Sequence, residues 1–581
     1  MRNATANRRW SVAGVFGLAI VSAAVVLVGV SVRPTESGAL SPTPAPQASA
    51  PAPATPLQSE MSSLINSASL SDLQHPAFGD YQQQVNKFYQ EGGYAPAWLH
   101  DHQPSPQALA LVTEFKQAQF KGLTPDNYDA SRWDERLAKI RSTAPPPSDS
   151  DVVHFDLALT ICAMRFISDL HVGRVNPQHF KFGLEEGTKQ YDLADVLRTR
   201  LLDAPDEDAA IAKVEPPYDG YRRAEAALPE YLKLAAQGDV ARIPAPAKSI
   251  HPGQPYAAVP QLVARLHQLG DLAANQDVSA DTAVYSGAVV DGVKHFQGRH
   301  GLAPDGVLGA GTVAELNKPL AYRLEQLDLA LERYRWIPRH FPEPPIVVNI
   351  PEFRLRTMRR QPAEFISMNV VVGKAYRSQT PVFADEMRYV IFRPYWNVPT
   401  AIQRNELIPK IQRNPDYVAE HQFEIVDGGG SVVTDGAVGA DVMRGLRSGA
   451  YTIRQKPGPK NALGLVKFIF PNNYNVYLHS TPEPELFSRA RRDFSHGCIR
   501  VENPAALAAW VLRNKPDWNP DRIRATMNGD ADNVQVDLDQ PIPVLILYST
   551  AVVEPDNEVH FFNDIYGYDA SLEKALQTGA S

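Results

Sequence analysis

Apolar positions recur at helical spacing from about Met61 to Ala245, with heptad-like runs over 152–170 and 193–202 and Pro-rich breaks at 145–147 and 244–246. This pattern predicts a helical domain over 61–245. Residues 257–318 repeat the helical signal on a smaller scale. One helix carries Leu262, Leu266 and Leu269, and a second carries Val289, Val293 and Phe296. They are followed by Asp305-Gly306-Val307-Leu308-Gly309 and a helix from Thr312. Apolar residues at i, i+3, i+4 and i+7 predict a three-helix module of about 60 residues. After a helix over 321–336 the period changes. Short β-branched runs at 346–350, 368–372, 389–392, 466–470, 476–478 and 544–548, bounded by Gly, Pro and Asn, predict a β-rich domain over 340–553. The stretch 400–446 interrupts it with helix-like and Gly-rich sequence too long for an ordinary connection, and reads as an insertion that lies over the domain as a lid. Residues 554–581 read as a C-terminal tail. The expected fold class is multidomain α+β: a helical domain, a three-helix module and a β-rich domain carrying a helical and loop insertion.

The N-terminus has a different pattern. Residues 1–9 contain Arg2, Arg8 and Arg9 and no acidic residue, and 10–32 carry no charge at all. At about 1.5 Å per helical residue the uncharged run reaches ~34 Å, enough to cross a hydrocarbon core of ~30 Å. The arginines place residues 1–9 in the cytoplasm and the rest of the chain beyond the membrane. The nearest Ala-x-Ala, Ala48-Ser49-Ala50, lies well past the run, which favours an uncleaved signal-anchor; a cleaved signal peptide is the alternative. Between Ser41 and Leu57, eleven of seventeen residues are Pro or Ala, so 33–60 reads as an extended linker or stalk.

Composition narrows the function classes. The 581 residues are enough for three or four domains, each with its own core. A formal charge of −8, from 57 basic and 65 acidic residues, offers no basic field for phosphates, so no nucleic-acid partner is expected. The two cysteines, Cys162 and Cys498, allow at most one disulfide and form no Cys-x-x-Cys motif. Cys162 lies in a strongly apolar helical run and reads as a buried small hydrophobe.

Cys498 has other surroundings. It sits in Ser495-His496-Gly497-Cys498-Ile499-Arg500, and His479 precedes it at the end of the run Val476-Tyr477-Leu478. A histidine leaving a strand and a cysteine after a glycine-bearing turn are the minimal pair for nucleophilic thiol catalysis. A thiol of pKa ~8.5 is only a few per cent thiolate at neutral pH, a shortfall of about 2 kcal/mol that a neighbouring imidazole can offset. Gly497 lets the backbone turn so that amides near Cys498 face a developing oxyanion, each worth roughly 3 kcal/mol. Arg500 adds positive potential for a substrate carboxylate. The same residue types permit a metal reading, with Cys498, His496 and His479 as ligands, but no fourth ligand or paired spacing supports it, and neither a metal nor a cofactor is expected.

His479-Ser480-Thr481-Pro482 followed by Ser495-His496-Gly497-Cys498-Ile499-Arg500-Val501 closely resembles the signature of bacterial L,D-transpeptidases. Val371-Val372-Gly373-Lys374, Thr380-Pro381 and Pro394-Tyr395-Trp396-Asn397-Val398-Pro399 resemble the preceding strands and loop of that domain. Tyr94-Ala95-Pro96-Ala97-Trp98 and Gly173-Arg174-Val175-Asn176-Pro177 are similar to the scaffold region of the large, multidomain Gram-negative branch. The 257–318 unit resembles the peptidoglycan-binding domain of cell-wall enzymes through Leu262, Phe296-Gln297 and Asp305-Gly306-x-x-Gly309-x-x-Thr312.

The resemblance implies Cys498 as acyl-accepting nucleophile and His479 as its base, with Ser480 at the position of the supporting third member. It implies an oxyanion environment from His496, Gly497 and Cys498, and substrate contacts from Trp396, Asn397, Tyr477 and Arg500. The implied reaction releases the terminal D-alanine of a peptidoglycan tetrapeptide stem, leaves a thioester on Cys498, and forms a 3→3 cross-link when the amine of a second stem resolves it. Water as acceptor would make the enzyme an L,D-carboxypeptidase, and a lipoprotein amine would make it an anchoring enzyme. A non-catalytic peptidoglycan-binding or scaffold protein is the alternative from another class. Peptidoglycan stem peptides, the inner membrane through 10–32, and cell-wall synthases are the candidate partners, and the periplasm is the expected location.

Overall fold

The computed structural model describes residues 54–184, 191–273, 275, 283–358, 365–376 and 378–578. The expected cytoplasmic segment 1–9, the 10–32 anchor and most of the 33–60 linker lie outside the described residues. Among the described residues no helix is long and apolar enough to cross a membrane. The linker ends earlier than its composition suggests. A helix starts at Pro56, because Thr55 and Gln58 form a reciprocal capping box and Pro at the first helical position needs no N–H partner.

The scaffold region is built round the 24-residue helix Asp149–Val172, which is capped by Ser148 and stopped at Gly173. Short helices enclose it on every side, so it is apolar almost all round. Its one deeply buried carboxylate, Asp156, accepts hydrogen bonds from the Ala97 and Trp98 amides at 3.0 and 2.8 Å and from the Tyr89 hydroxyl at 2.6 Å. That pairing explains the 94–98 segment, whose backbone must come close to the helix. Cys162, on the same helix, is buried and free, and burial pushes its thiol up to about 12.

The three-helix module comprises Val259–Leu269, Ala288–Arg299 and Ala310–Leu316 around Leu262, Leu266, Val293 and Phe296. Gln297 holds its turn together, donating to Asp305 and to the Val307 carbonyl and accepting from the Gly306 amide. Gly306 has φ +73°, which disfavours any side chain there.

The β-rich domain contains a nine-stranded sheet. In order its strands are Asp493–Ser495, Ile366–Gly373, Ile499–Val501, Leu478–His479, Val466–Ile469, Phe383–Phe392, Val534–Leu547, Ile346–Asn349 and Arg354–Thr357. Arg354–Thr357 also pairs with Ile366–Gly373, so eight strands close into a ring and Asp493–Ser495 adds at one edge. Val348, Val370, Val390, Phe392, Phe468, Leu478 and Ile499 fill the interior. The α+β class expected from the sequence therefore holds, with a helical scaffold, a helical module and a β-rich C-terminal part.

Three expectations need correction. The 400–446 insertion is not helix and loop alone. Trp396–Asn397, Thr452–Gln455, Phe423–Val426 and Val432–Thr434 form a separate four-stranded sheet that joins the helices of the insertion over a private core of Leu407, Ile411, Val418, Ile425 and Ile453. Its strands are two to four residues long, too short for alternation to register.

The helix Asp219–Gln237, expected within the 61–245 domain, packs instead on Leu320–Arg335 and the hairpin Ala551–Val553/Val559–Phe561. Tyr221, Leu228, Leu327, Leu331 and Phe561 share that core. Finally, of the 554–581 segment expected as a tail, the described residues 554–578 are not one. Its hairpin strand pairs with Ala551–Val553, and the helix Tyr568–Thr578 buries Leu572 and Ala575 in the barrel core. The turn residues of 554–558 and the brevity of the strand hid this. Leu572→Ala should therefore lower the unfolding free energy by about 2–5 kcal/mol in urea titration, as at other core leucines; an unchanged midpoint would return the segment to the status of a tail.

Candidate active site

The site is assembled where Leu478–His479 runs parallel to Ile499–Val501. Leu478 stands opposite Ile499 and His479 opposite Arg500, and the Ile499 amide donates to the Tyr477 carbonyl at 3.1 Å. This register sets Cys498, the residue before the strand, beside Tyr477. On the other side His479 pairs with Lys467 across the antiparallel strand Val466–Ile469. Residues in register share a face, so Lys467, His479 and Arg500 form one row.

His479 is 5% exposed, and its Nδ1 lies 2.5 Å from the Ser480 carbonyl. A carbonyl only accepts, so Nδ1 carries the hydrogen and Nε2 keeps its lone pair. The Leu463 carbonyl also faces the ring. Burial, then the Arg500 charge and, more weakly, Lys467, hold the imidazole down at about 3. The ring is thus neutral at physiological pH. Ser480 contributes its backbone carbonyl to this arrangement, so the identity of its side chain is not what orients the histidine.

The half-buried Cys498 thiol points toward the Asn475 carbonyl at 3.7 Å, and among the described residues no hydrogen bond joins it to His479. Resting contacts of catalytic groups are often longer than those of the working complex. Burial pushes the thiol up, while the Tyr477 amide and hydroxyl and the Lys467 charge oppose that rise. The Tyr477 hydroxyl meets both Cys498 and Trp396, and the Lys467 ammonium lies 3.9 Å from the centre of the Tyr477 ring.

Gly497 has φ +116°, a conformation that strains any other residue. Its amide is taken by Ser495 Oγ at 3.1 Å, and Ser495 Oγ donates to the Cys498 carbonyl at 2.5 Å. Among the described residues the His496 and Cys498 amides have no acceptor, so those two remain to face an oxyanion. The contribution of Gly497 is the turn itself. Thr380 braces the turn from outside: its hydroxyl donates to the Gly497 carbonyl at 2.8 Å and accepts from the Gly373 amide at 2.9 Å. Tyr566, near the C-terminus, adds a second brace by accepting from the Thr380 amide and donating to the Gly373 carbonyl.

The other expected residues divide. Trp396 reaches the site through Tyr477. Asn397 is exposed on the strand that opens the insertion, away from these contacts. Arg500 is ion-paired with Glu483 and is not free for a ligand carboxylate. His496 turns outward, its Nε2 2.7 Å from Glu406 of the inserted subdomain, which it thereby ties to the site. Glu406 lies on a π-helical turn, Gln403–Leu407, a local irregularity common at functional sites. Since His496 faces Glu406 and His479 Nδ1 faces a carbonyl, the three-ligand metal set is not assembled, and among the described residues no other His/Cys/Asp/Glu group of three has metal-binding geometry. Lys467, Glu406 and Tyr566 were not singled out in the sequence, and Thr380 and Ser495 entered only as parts of the motifs, without a role of their own. For Lys467 a signal existed: a lysine inside an apolar strand run, one strand away from the histidine.

Comparison with known families gives this arrangement its class. Residues 344–536 match the L,D-transpeptidase catalytic domain, 83–228 the family described as "Scaffold domain", and 255–316 the family described as "Putative peptidoglycan binding domain". The chain thus carries an L,D-transpeptidase catalytic domain together with a peptidoglycan-binding domain, in agreement with the resemblance seen in the sequence. A Haemophilus influenzae protein named "Putative L,D-transpeptidase" is 33% identical over 251 residues, 43% of this chain and 49% of that protein. The match therefore spans about half the length of that curated relative.

Two outcomes follow from the geometry. Since the folded His479 value of about 3 lies below the ordinary 6.5, lowering the pH from about 8 to 5 leaves the ring neutral, and its C2–H resonance should not titrate across that window; a midpoint near 6.5 would contradict the buried, cation-flanked environment. Thr380→Val keeps the shape but leaves the Gly373 amide and Gly497 carbonyl unpaired, and should cost about 2–4 kcal/mol in chemical unfolding.

Proposed function

We propose that the protein is a cysteine-dependent L,D-transpeptidase that forms 3→3 cross-links in peptidoglycan. The observation that carries this reading is the neutral His479, with Nδ1–H fixed on the Ser480 carbonyl, two register positions along the strand pair from a cysteine whose own amide is free. In the first half-reaction the thiol proton moves to His479 Nε2 as sulfur attacks the carbonyl that precedes the terminal D-alanine. A C–S bond forms, the C–N bond breaks, and His479 delivers the proton to the leaving amine. The Cys498 and His496 amides hold the oxyanion. In the second half-reaction the side-chain amine of another stem, expected to be that of meso-diaminopimelate, loses a proton to His479 and attacks the thioester. The C–N bond forms, the C–S bond breaks, and sulfur recovers its proton. The domain matched at 255–316 supports peptidoglycan as the polymer engaged. We read the uncharged run 10–32 as holding the folded part on the periplasmic side of the inner membrane, where that polymer lies and where cell-wall synthases would work beside it.

Mass spectrometry of muropeptides after incubation with tetrapeptide-bearing substrate tests the reading. The parent protein should yield 3→3 dimers and free D-alanine, Cys498→Ala and His479→Gln should yield neither, and Ser480→Ala should remain within about threefold of the parent because the backbone carbonyl persists. Tripeptides without dimers would make the enzyme a carboxypeptidase. Dimers that persist in Cys498→Ala would reject the cysteine mechanism.

A further inference from the structure

Three features near and around the site lack a role in the proposed reaction: the hydrogen-bonding contact between His496 and Glu406, the cleft of about 690 Å³ between the three-helix module and the barrel that Arg354 and Arg356 line, and Lys467. In the cleft, Arg356 is held by Glu352 and Glu554, and Arg492 donates to the backbone carbonyls of Val370, Arg489 and Phe353. Those cations are already occupied by the fold. Lys467 is different. It projects from the strand next to His479, is half-buried, and has no carboxylate partner among the described residues. Its ammonium lies over the Tyr477 ring at 3.9 Å, and the Tyr477 hydroxyl meets the Cys498 sulfur.

A half-buried ammonium without a counter-ion is unfavourable unless something nearby carries negative charge for part of the working cycle. The groups facing Lys467 can be named. His479, in register with it, is neutral. Arg500 lies beyond and is compensated by Glu483. Tyr477 beneath it is held in its neutral phenol form by burial and by the Cys498 charge. Cys498 is the one group among these that becomes an anion during the proposed reaction, and the electrostatic attraction between Cys498 and Lys467 acts on both. A phenol whose ring faces the cation and whose hydroxyl faces the sulfur is also polarised to donate to that sulfur.

We propose that Lys467, stacked on Tyr477, is a positioning residue whose charge compensates the Cys498 thiolate, so that the resident counter-charge of the nucleophile is the lysine and not a His479 imidazolium. The division of labour follows. Lys467 and Tyr477 stabilise the anion on sulfur, and His479, neutral at rest, takes the thiol proton on Nε2, passes it to the leaving amine, and then takes the proton of the incoming amine and returns it to sulfur. The inference rests on Cys498 being the nucleophile, but it concerns the charge state of the thiol and not the identity of the acyl acceptor.

Thiol titration by iodoacetamide tests it on the full chain. Alkylation forms a C–S bond, releases iodide, and sends the thiol proton to solvent, so its rate against pH reads the thiolate fraction without any peptidoglycan substrate. Cys498→Ala supplies the blank, because Cys162 is buried. Lys467→Met should move the midpoint up by about one pH unit and slow alkylation near neutral pH about tenfold, with the plateau at high pH unchanged, while Lys467→Arg should stay within about half a unit of the parent. His479→Gln should leave the midpoint within about half a unit. An unmoved midpoint in Lys467→Met overturns the proposal. So does a rise in His479→Gln of about a unit or more, and that arm stands even if the lysine variants do not fold. If muropeptide dimers persist in Cys498→Ala while Lys467→Met shifts the midpoint, the transpeptidase mechanism fails and the electrostatic assignment survives.

Discussion

The parallel register between Leu478–His479 and Ile499–Val501 is the constraint on which the site depends. Parallel neighbours need a long crossover, and here 480–498 makes it, descending past Thr481–Arg489 and returning through the edge strand Asp493–Ser495. A slip of one residue would turn His479 from the buried row to the opposite face and move Cys498 away from Tyr477. The slip is opposed by the apolar residues Leu478 and Ile499, which are fully buried in the barrel, and by Thr380 and Tyr566, which hold the Gly497 turn from the loop before Phe383–Phe392 and from the segment before the helix Tyr568–Thr578.

Within that frame, electrostatics assigns the chemistry. Two cations in register with a buried imidazole make its protonated form unfavourable, and a backbone carbonyl on Nδ1 fixes the tautomer. The imidazole thereby keeps its Nε2 lone pair at neutral pH without a carboxylate partner. The turn that carries Cys498 has a similar economy: Ser495 satisfies the Gly497 amide and the Cys498 carbonyl, and among the described residues the His496 and Cys498 amides are left without an acceptor.

Distant parts of the chain meet this domain on the helix Leu320–Arg335, beside direct contacts such as the Gly183–Phe383 bridge and the bond from Arg299 to the Val559 carbonyl. Glu332 accepts from the Arg174 and Val175 amides of the scaffold region, Arg323 pairs with Glu315 of the three-helix module, Gln326 donates to the Thr550 and Phe562 carbonyls, and Arg333 pairs with Asp569 of the C-terminal helix. A Cβ on Gly173 would lie 2.6 Å from a Glu332 oxygen, which is why that segment begins with glycine. These groups are buried. Removing one member of such a pair leaves an uncompensated charge at about 3–5 kcal/mol, so the pairs hold the regions in one orientation whether or not they add net stability.

What the sequence determined by itself was the set of elements with long or strongly patterned signals: the Asp149–Val172 helix, the three-helix module, the main barrel strands, and the His479 and Cys498 pair in its local motif. Helical periodicity and a run of small and polar residues around one cysteine are local properties and survive without knowledge of neighbours. Only the tertiary structure decided that the strand Val559–Phe561 and the helix Tyr568–Thr578 belong to packed cores, that the insertion has its own sheet, that Arg500 and the Gly497 amide are already occupied, and that Lys467 and Tyr566 stand at the site. Those facts depend on pairings between residues that are not chain neighbours, from Lys467 with His479 to Thr380 with Gly497 and Tyr566. Such a pairing leaves no periodic trace in either partner, because what selects the residue is the group that faces it across the fold.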